Sequence, residues 1–535
     1  MDSGNGWKVI IRRIIRRIFL FYKGSPCYNC KKYKDSPCKN SHIAPTADIL
    51  YNSGMKTAKN ENEPFRLALS YDDVLLVPHY SDIPSRKLID LSTMFSKRIR
   101  INIPIVSANM DTVTGSEMAI HMAREGGMGI IHRFQSAEEE ADEVRRVKRA
   151  ESIFIHDPIT IHKEATLKEA TDLMAKNHVT GVIVISSDND ILGILTARDI
   201  RFKTDGDLPI QKIMTPKERL ITAKNDIGSD EALRLLDENK IEKLPLVDAK
   251  GKLSGLITAS DYKKTKESPR ASKDKRGRLL VGAAIGVKDG MERAELLIKA
   301  GADALVIDIA HGHHRSCIEL VKKLKKKFPS ADVVAGNVAT AEGTIDLIKA
   351  GADAIKVGIG PGAACSTRIV AGSGVPQLTA VLECAGAAKK FGVPIIADGG
   401  VKNSGDLAKA IGAGAGTAMI GNLFSGSKES PGEYYIEGGE AFKIYRGLAS
   451  RDASADMALK AGGDADKQNR APEGIGYRVT FKGEVRKILQ GLVDGLQSGM
   501  SYTGARNLKE FCKKAEFVRI TDAGMRESKP RSHQI

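Results

Sequence analysis

Residues 356–384 read KVGIGPGAACSTRIVAGSGVPQLTAVLEC. A strand-like run, Ala354 to Val357, stops at Gly358-Ile359-Gly360-Pro361-Gly362, and the first polar side chains beyond it are Cys365, Ser366, Thr367 and Arg368. Glycines at this density let backbone N–H groups come close to a phosphate. A cysteine just past such a turn, flanked by hydroxyls and a cation, is placed to be an activated nucleophile. Taken alone, the stretch also fits a βα turn with a small buried thiol. Its surroundings decide between the two.

On both sides the chain alternates short apolar runs with amphipathic ones. Strands are readable at 279–281, 304–308, 332–335, 354–357, 394–397 and 417–420, with helices at 291–300, 317–328 and 341–350 between them. The tetrapeptide Ala-Gly-Ala-Asp, at 300–303 and 350–353, marks a helix end before the next strand. Upstream, Ile103 to Val113 is an apolar strand ending in a polar cluster, followed by a helix from Gly115 and a second strand ending near His132. The rhythm predicts an α/β protein built as a closed parallel (β/α)₈ TIM barrel, whose active residues sit at the C-terminal strand ends. Asp308, Asn337, Cys365 and Asp398-Gly399-Gly400 all fall at such ends.

Between about 153 and 265 the rhythm changes. Thr196 and Asp199 recur as Thr258 and Asp261, a spacing of 62 within two copies of one strand–helix–strand–strand unit. The expected organisation is an N-terminal extension (1–63), a first part of the barrel (64–152), the tandem insert (153–265) and the rest of the barrel with an active-site loop and flap (266–530).

With 535 residues the chain is long enough for a large core plus an insert. Its seven scattered cysteines form no disulfide framework and suggest a reducing compartment. The formal charge of +16 is uneven, because residues 1–63 hold 12 Lys and Arg against 5 Asp and Glu. The remaining excess suits an enzyme of anionic substrates as well as it suits nucleic acid, and no nucleic-acid-binding motif is present. No run of 18 apolar residues predicts a transmembrane helix, and cytoplasm is the default location. Residues 7–22 form a basic amphipathic pattern that fits a membrane-surface segment, a targeting sequence or an unstructured extension. Cys27, Cys30, Cys38 and His42 offer a possible zinc set at irregular spacing.

Seven motifs carry a resemblance: Ser107 to Val113, Ile307 to His313, Ala335 to Ala339, Gly358 to Cys365, Ala397 to Gly400, Tyr445 to Gly447 and Glu473-Gly474. From about residue 64 to 530 the chain resembles the IMP dehydrogenase and GMP reductase family, and the insert resembles its pair of CBS motifs (a Bateman domain). The resemblance implies that Cys365 adds to C2 of a purine nucleotide, IMP for the dehydrogenase, with hydride leaving to NAD. It implies catalytic roles for Thr367, Glu473 and the flap, and substrate contacts from Ser107, Ala363, Ser366, Asp398, Gly399, Gly400, Gly421, Asn422 and the Tyr445-Arg446-Gly447-Leu448-Ala449 segment. Asp308, Gly358, Ile359 and Gly360 would face the dinucleotide. A potassium site would use Gly360, Gly362 and Cys365 with Glu527, Ser528 and Lys529 of a neighbouring subunit, in a homotetramer or octamer whose CBS pair binds adenine or guanine nucleotides.

The chain also departs from the family pattern. Thirteen residues before Glu473, where the dehydrogenase carries an Arg-Tyr pair, stand Lys460-Ala461, and Ala363 replaces a phosphate-binding serine. Lys460 is the candidate substitute in the flap, although lysine is a poor stand-in for arginine. The segments 369–372, 498–502 and 523–528 look like the dehydrogenase, while 460–463 and 469–474 look like GMP reductase. The dehydrogenase is the expected activity, GMP reductase the alternative, and a weakly catalytic CBS nucleotide sensor a third reading.

Overall fold

The computed structural model describes residues 65–529, apart from 151–154, 156–157, 226, 260–267, 452, 454 and 457–470. The chain divides into two units, Met1–Arg66 and Leu67–Ile535, and the barrel with its insert belongs to the second. Cys27, Cys30, Cys38, His42 and Lys460 lie outside the described residues.

Eight parallel strands close into a barrel. In chain order they are β1 (Ile105–Ser107), β2 (Met128–Ile131), β3 (Val281–Ile285), β4 (Ala304–Ile307), β5 (Asp332–Val338), β6 (Ala354–Val357), β7 (Ile395–Asp398) and β8 (Thr417–Ile420). β8 pairs with β1, and β2 pairs with β3 in the register Gly129–Val281. Helices α1 (Ser116–Arg124), α2 (Ala137–Ala150), α3 (Gly290–Ala300), α4 (Arg315–Lys327), α5 (Ala341–Ala350), α6 (Gln377–Lys389), α7 (Ser404–Gly412) and α8 (Val485–Tyr502) cover the outside.

Strand alternation sorts the core into two layers. Ala304 and Val306 of β4 join Val106, Met128, Ile130, Val334, Ala354, Ile396 and Met419 inside the barrel. Leu305 and Ile307 face the helices instead. The helices answer with apolar stripes: Cys317, Leu320, Val321 and Leu324 of α4 are buried at helical spacing, while its last turn is Lys325-Lys326-Lys327. A hairpin before β1 (Thr93–Met94 with Arg100–Ile101) places Phe95, Ile99 and Ile101 in the interior cluster.

Four strands differ in extent from those read in the sequence, β4 only by ending at Ile307 rather than Asp308. β3 runs Val281–Ile285 rather than 279–281. Gly-Ala-Ala is a poor β-former on its own, but pairing with β2 and β4 on both sides overrides that preference. β5 extends to Val338, so Asn337 lies within a strand rather than after it, and Asp398 is the last residue of β7.

The Asp of each Ala-Gly-Ala-Asp repeat has a structural role at the N-terminal end of the barrel. The Asp303 carboxylate accepts the Val281 N–H at 2.8 Å, and the Asp353 carboxylate accepts that of Val333 at 3.0 Å. Each therefore satisfies a strand that would otherwise begin with an unpaired donor. Buried Lys148 of α2 holds Asp303 (2.6 Å), Asp274 (3.2 Å) and the Leu279 carbonyl (2.9 Å) together. Burial pushes the Asp303 carboxyl up, and the Lys148 ammonium opposes that shift.

Between β2 and β3 the chain leaves the barrel and builds two small sheets. One contains Thr160–His162, Gly181–Ile185, Ile191–Thr196 and Thr215–Pro216; the other contains Ala223–Lys224, Lys243–Val247 and Leu253–Thr258. Helix Leu167–Lys176 and its two following strands recur 62 residues later as Ser229–Glu238, Lys243–Val247 and Leu253–Thr258. Even the positive φ of 52° at His178 recurs at Lys240. Ile183, Ile185, Ile191, Ile194 and Leu256 form one cluster, so the two copies bury apolar surface against each other.

Replacing Lys148 with Met should leave Asp303 and Asp274 without their shared cation and cost about 3–5 kcal/mol. The expected result is a lower urea midpoint with catalytic rate preserved in the folded protein, because Lys148 lies at the barrel end opposite the strand C-termini.

Candidate active site

The C-terminal ends of the strands bring the polar residues together. After β6 the chain turns through Gly358–Gly362, and Cys365 stands exposed just before the helical turn Thr367–Val370. The Cys365 thiol donates to Thr367 Oγ1 at 3.2 Å, and the Thr367 hydroxyl donates to Glu473 Oε2 at 2.7 Å. Thiol, hydroxyl and carboxylate thus form one hydrogen-bonded chain, although Glu473 comes from a segment more than a hundred residues away.

Backbone pairing holds Glu473 there. The Ser366 N–H donates to the Glu473 carbonyl (3.0 Å), the Ile475 N–H to Ala364 (3.0 Å), the Glu473 N–H to Ala449 (3.1 Å) and the Gly447 N–H to Ile475 (3.0 Å). Three chain segments, 364–366, 473–475 and 447–449, therefore lie side by side. A Cβ at Gly447 would sit 2.8 Å from the Ala364 carbonyl oxygen, and one at Gly474 3.0 Å from the Ser450 nitrogen. Glycine at both positions is what permits the approach. Arg368 braces the turn that carries Cys365 by donating to the Val375 carbonyl at 2.6 Å and the Ile359 carbonyl at 3.4 Å.

The other three thiols among the described residues are set apart by burial. It pushes Cys317 and Cys512 up to about 11 and Cys384 up to about 12. At neutral pH these remain thiols, and the nucleophilic form is the thiolate.

Asp398, ending β7, accepts from Asn337 Nδ2 (2.9 Å) and Lys356 Nζ (2.9 Å) on one oxygen. Lys356 is 3% exposed and also bonds the Asn337 amide oxygen, while Asn337 Nδ2 donates to the Gly358 carbonyl at 2.7 Å. Gln377 Nε2 ties the carbonyls of Val357 (2.8 Å) and Asp398 (3.1 Å) together, bridging β6 and β7. Asp308, after β4, receives Arg133 Nε at 2.8 Å.

An antiparallel sheet of Tyr435–Glu437, Glu440–Arg446 and Gly476–Thr480 carries Tyr445. Tyr445 is buried, its ring packs edge-on to Tyr477 at 5.4 Å, and its hydroxyl lies 3.5 Å from Met110 Sδ. Burial raises the Tyr445 hydroxyl well above the usual phenol range, so it stays protonated and able to donate. Tyr477 in turn accepts from Asn422 Nδ2 at 2.8 Å.

Not every sequence candidate contributes its side chain. Arg446 donates to Asp111 from Nε (2.9 Å) and Nη2 (2.6 Å), and to Asp456 from Nη1 (2.6 Å). Within the 363–366 turn, the N–H groups of Cys365 and Ser366 are already donated to Gly362 and Glu473. Ser107, ending β1, is fully buried and accepts from Thr114 Oγ1 at 2.9 Å. Glu527 ends the short helix Asp522–Glu527, and Ser528 and Lys529 follow it.

Sequence reasoning passed over Lys356, Arg133, Gln377 and Asp111. Lys356 had a signal: a lone lysine in a buried strand must direct its ammonium to a polar partner, and Asp398 is that partner.

A family model described as "IMP dehydrogenase / GMP reductase domain" matches residues 68–531. The chain belongs to the IMP dehydrogenase / GMP reductase family. Inosine-5'-monophosphate dehydrogenase of Aquifex aeolicus is 51% identical over 471 residues, covering 87% of this chain and 96% of the relative. That of Bacillus subtilis is 47% identical over 470 residues, with the same two coverages of 87% and 96%. Among solved structures, a cysteine-to-alanine variant of GMP reductase from Trypanosoma brucei, in complex with guanosine 5'-monophosphate, superposes with a TM-score of 0.83 at 44% identity. That match covers 89% of this chain and all of the other. A GMP reductase from the same organism, in complex with guanosine 5'-triphosphate, gives a TM-score of 0.73 at 41% identity over 86% of this chain and the whole of the other.

The thiol environments predict a selective labelling pattern. Iodoacetamide at pH 8 should modify the Cys365 peptide well before those of Cys317 and Cys384, as read by peptide mass spectrometry. Reactivity of the buried pair should rise only as pH approaches 11 and beyond. Equal labelling of all three at pH 8 would contradict the assigned environments.

Proposed function

We propose that this chain is an inosine-5'-monophosphate dehydrogenase, which oxidises IMP to XMP with NAD through a covalent adduct on Cys365. The observation that carries the reading is the exposed Cys365 thiol, joined through Thr367 to Glu473 at the C-terminal mouth of the barrel. Support comes from dehydrogenase relatives at 47–51% identity over most of the chain.

The residues divide the reaction between them. Asp398, held by Asn337 and Lys356, presents a carboxylate to the ribose hydroxyls of the substrate. The turns at Gly399-Gly400 and Gly421-Asn422 receive the phosphate, and Ser366 adds its hydroxyl, since its own N–H and that of Cys365 are already donated within the protein; Ala363 contributes only backbone there. Residues 445–449 cover the base. The Cys365 thiolate forms a bond to C2, and the hydride displaced from C2 is accepted by the nicotinamide of NAD, the chemistry which that group supplies when bound. Asp308 and the turn Gly358-Ile359-Gly360 line the dinucleotide side. In hydrolysis, water adds to C2 as the C–S bond breaks, and its proton passes to Thr367 as the threonine proton moves to Glu473. Lys460 is the flap's further candidate for this step.

The two-copy insert is read as a CBS pair that binds adenine or guanine nucleotides and tunes activity. A potassium ion held by the carbonyls of Gly360, Gly362 and Cys365 with Glu527, Ser528 and Lys529 of a second copy, in a tetramer or octamer, belongs to the same proposal.

Lys460-Ala461 favours a second reading, GMP reductase, in which the same cysteine adduct of GMP loses ammonia and accepts hydride from NADPH. The superposition on the trypanosomal reductase supports it, and its match across the insert means that the insert does not separate the branches. Purified protein decides: NADH formation, followed by absorbance with IMP and NAD, supports the dehydrogenase. NADPH consumption with GMP alone would replace it, and activity with neither would favour a nucleotide sensor.

For the dehydrogenase, T367V or E473Q should lower kcat by about 10²–10³-fold while a burst of NADH persists, because hydrolysis rather than hydride transfer is impaired. Loss of the burst would place the dyad in the first half-reaction. Deleting residues 153–265 should leave turnover and remove nucleotide regulation, measured as the response of initial rate to added ATP and GTP. A folded deletion variant without turnover would contradict the separate roles of barrel and insert.

A further inference from the structure

Asp308 is held by an arginine from the end of β2. Arg133 follows β2, lies four-fifths buried, and places Nε 2.8 Å from Asp308 Oδ2. No described residue donates to the other Asp308 oxygen. The Arg133 guanidinium also lies 5.2 Å over the Phe134 ring, so its plane is fixed from a second direction.

The loop beneath it is clamped. Arg293 of α3 donates to the Gln135 carbonyl (3.2 Å), to buried Glu140 (2.7 Å) and to Asp289 (2.8 Å). Asp289 folds back under Arg133 because the position after β3 is glycine. A Cβ on Gly286 would meet Asp289 Oδ1 at 2.6 Å and Arg133 Nη1 at 3.4 Å. Five ionisable groups, Glu140 on α2, Arg293 on α3, Asp289 just before α3, Arg133 after β2 and Asp308 after β4, therefore alternate in type from acid to base. An arrangement this elaborate around one guanidinium is more than is needed to join two strands that are not neighbours in the barrel.

We infer that Arg133 is a positioning residue for the dinucleotide: it engages one oxygen of Asp308 and leaves the other aimed at the hydroxyls of the dinucleotide's ribose. This rests on the reading that Asp308 faces the dinucleotide. Arg133 makes a single hydrogen bond to Asp308, so a lysine can replace that bond, whereas a neutral side chain cannot supply the charge.

The test compares R133M, R133Q and R133K in the full-length protein. R133M and R133Q should raise the KM for the dinucleotide at least about tenfold, with the KM for the purine nucleotide within about twofold of wild type. R133K should recover most of the loss, and thermal unfolding midpoints identify any variant that fails to fold. Unchanged dinucleotide KM in a folded neutral variant, or equal rises for both substrates, would overturn the inference. If wild type turns over neither substrate pair, the proposed reaction has failed, and titration of NADH or NADPH fluorescence still decides Arg133. Weaker binding to R133M than to wild type supports the positioning role; equal binding overturns it.

Discussion

Backbone hydrogen bonding between β2 and β3, in the register Gly129–Val281, joins strands that flank the whole insert and completes the parallel ring. The other assignments depend on that closure. It brings the ends of β1, β2, β4, β6, β7 and β8 into one mouth, so that Ser107, Arg133, Asp308, Cys365, Asp398 and Asn422 converge from separate parts of the sequence. The entropic cost of closing across a long excursion grows only slowly with its length, by about 0.6 kcal/mol per doubling. The insert also brings a core of its own, in which the two copies share a cluster built on Ile183, Ile194 and Leu256.

The two ends of the barrel use charge differently. At the N-terminal end, Lys148 and Lys325 neutralise Asp303 and Asp353, whose carboxylates also satisfy strand N–H groups. Those charges serve structure. At the C-terminal end, Asp308 and Asp398 each meet a cation, Arg133 or Lys356, yet keep 17% and 22% of their side chains exposed. A carboxylate that is paired and still partly open can receive a ligand without the cost of an isolated buried charge. Cys365 differs again: its thiol is linked to the Thr367 hydroxyl and through it to the Glu473 carboxylate, which comes this close only because Gly447 and Gly474 let three backbones run together.

The range of the forces involved determines how much could be read in the sequence. Strand and helix periodicity is local, so the barrel, the 62-residue repeat and the turn bearing Cys365 were all legible. β6, β8 and α5 lie at their expected limits. β3 did not, because its small residues become a strand through the partners on either side. The link between Thr367 and Glu473 was legible only through resemblance, since spacing gives no hint that residues 106 positions apart meet. Arg133 and Gln377 were not legible at all: an arginine after a strand and a glutamine opening a helix are ordinary until the fold supplies their partners. Arg446 shows the reverse case, as its motif points to the substrate while its guanidinium turns to Asp111 and Asp456.

In the proposed reaction, purine chemistry passes through a bond to Cys365, and trapping that bond is the decisive measurement. Protein mixed with IMP and NAD, quenched in acid within the first turnover and digested, should yield the Cys365 peptide carrying one purine nucleotide by mass spectrometry. The adduct should need both reactants and be absent from C365A. A purine nucleotide on another residue, or substrate turnover that C365A retains, would contradict the account.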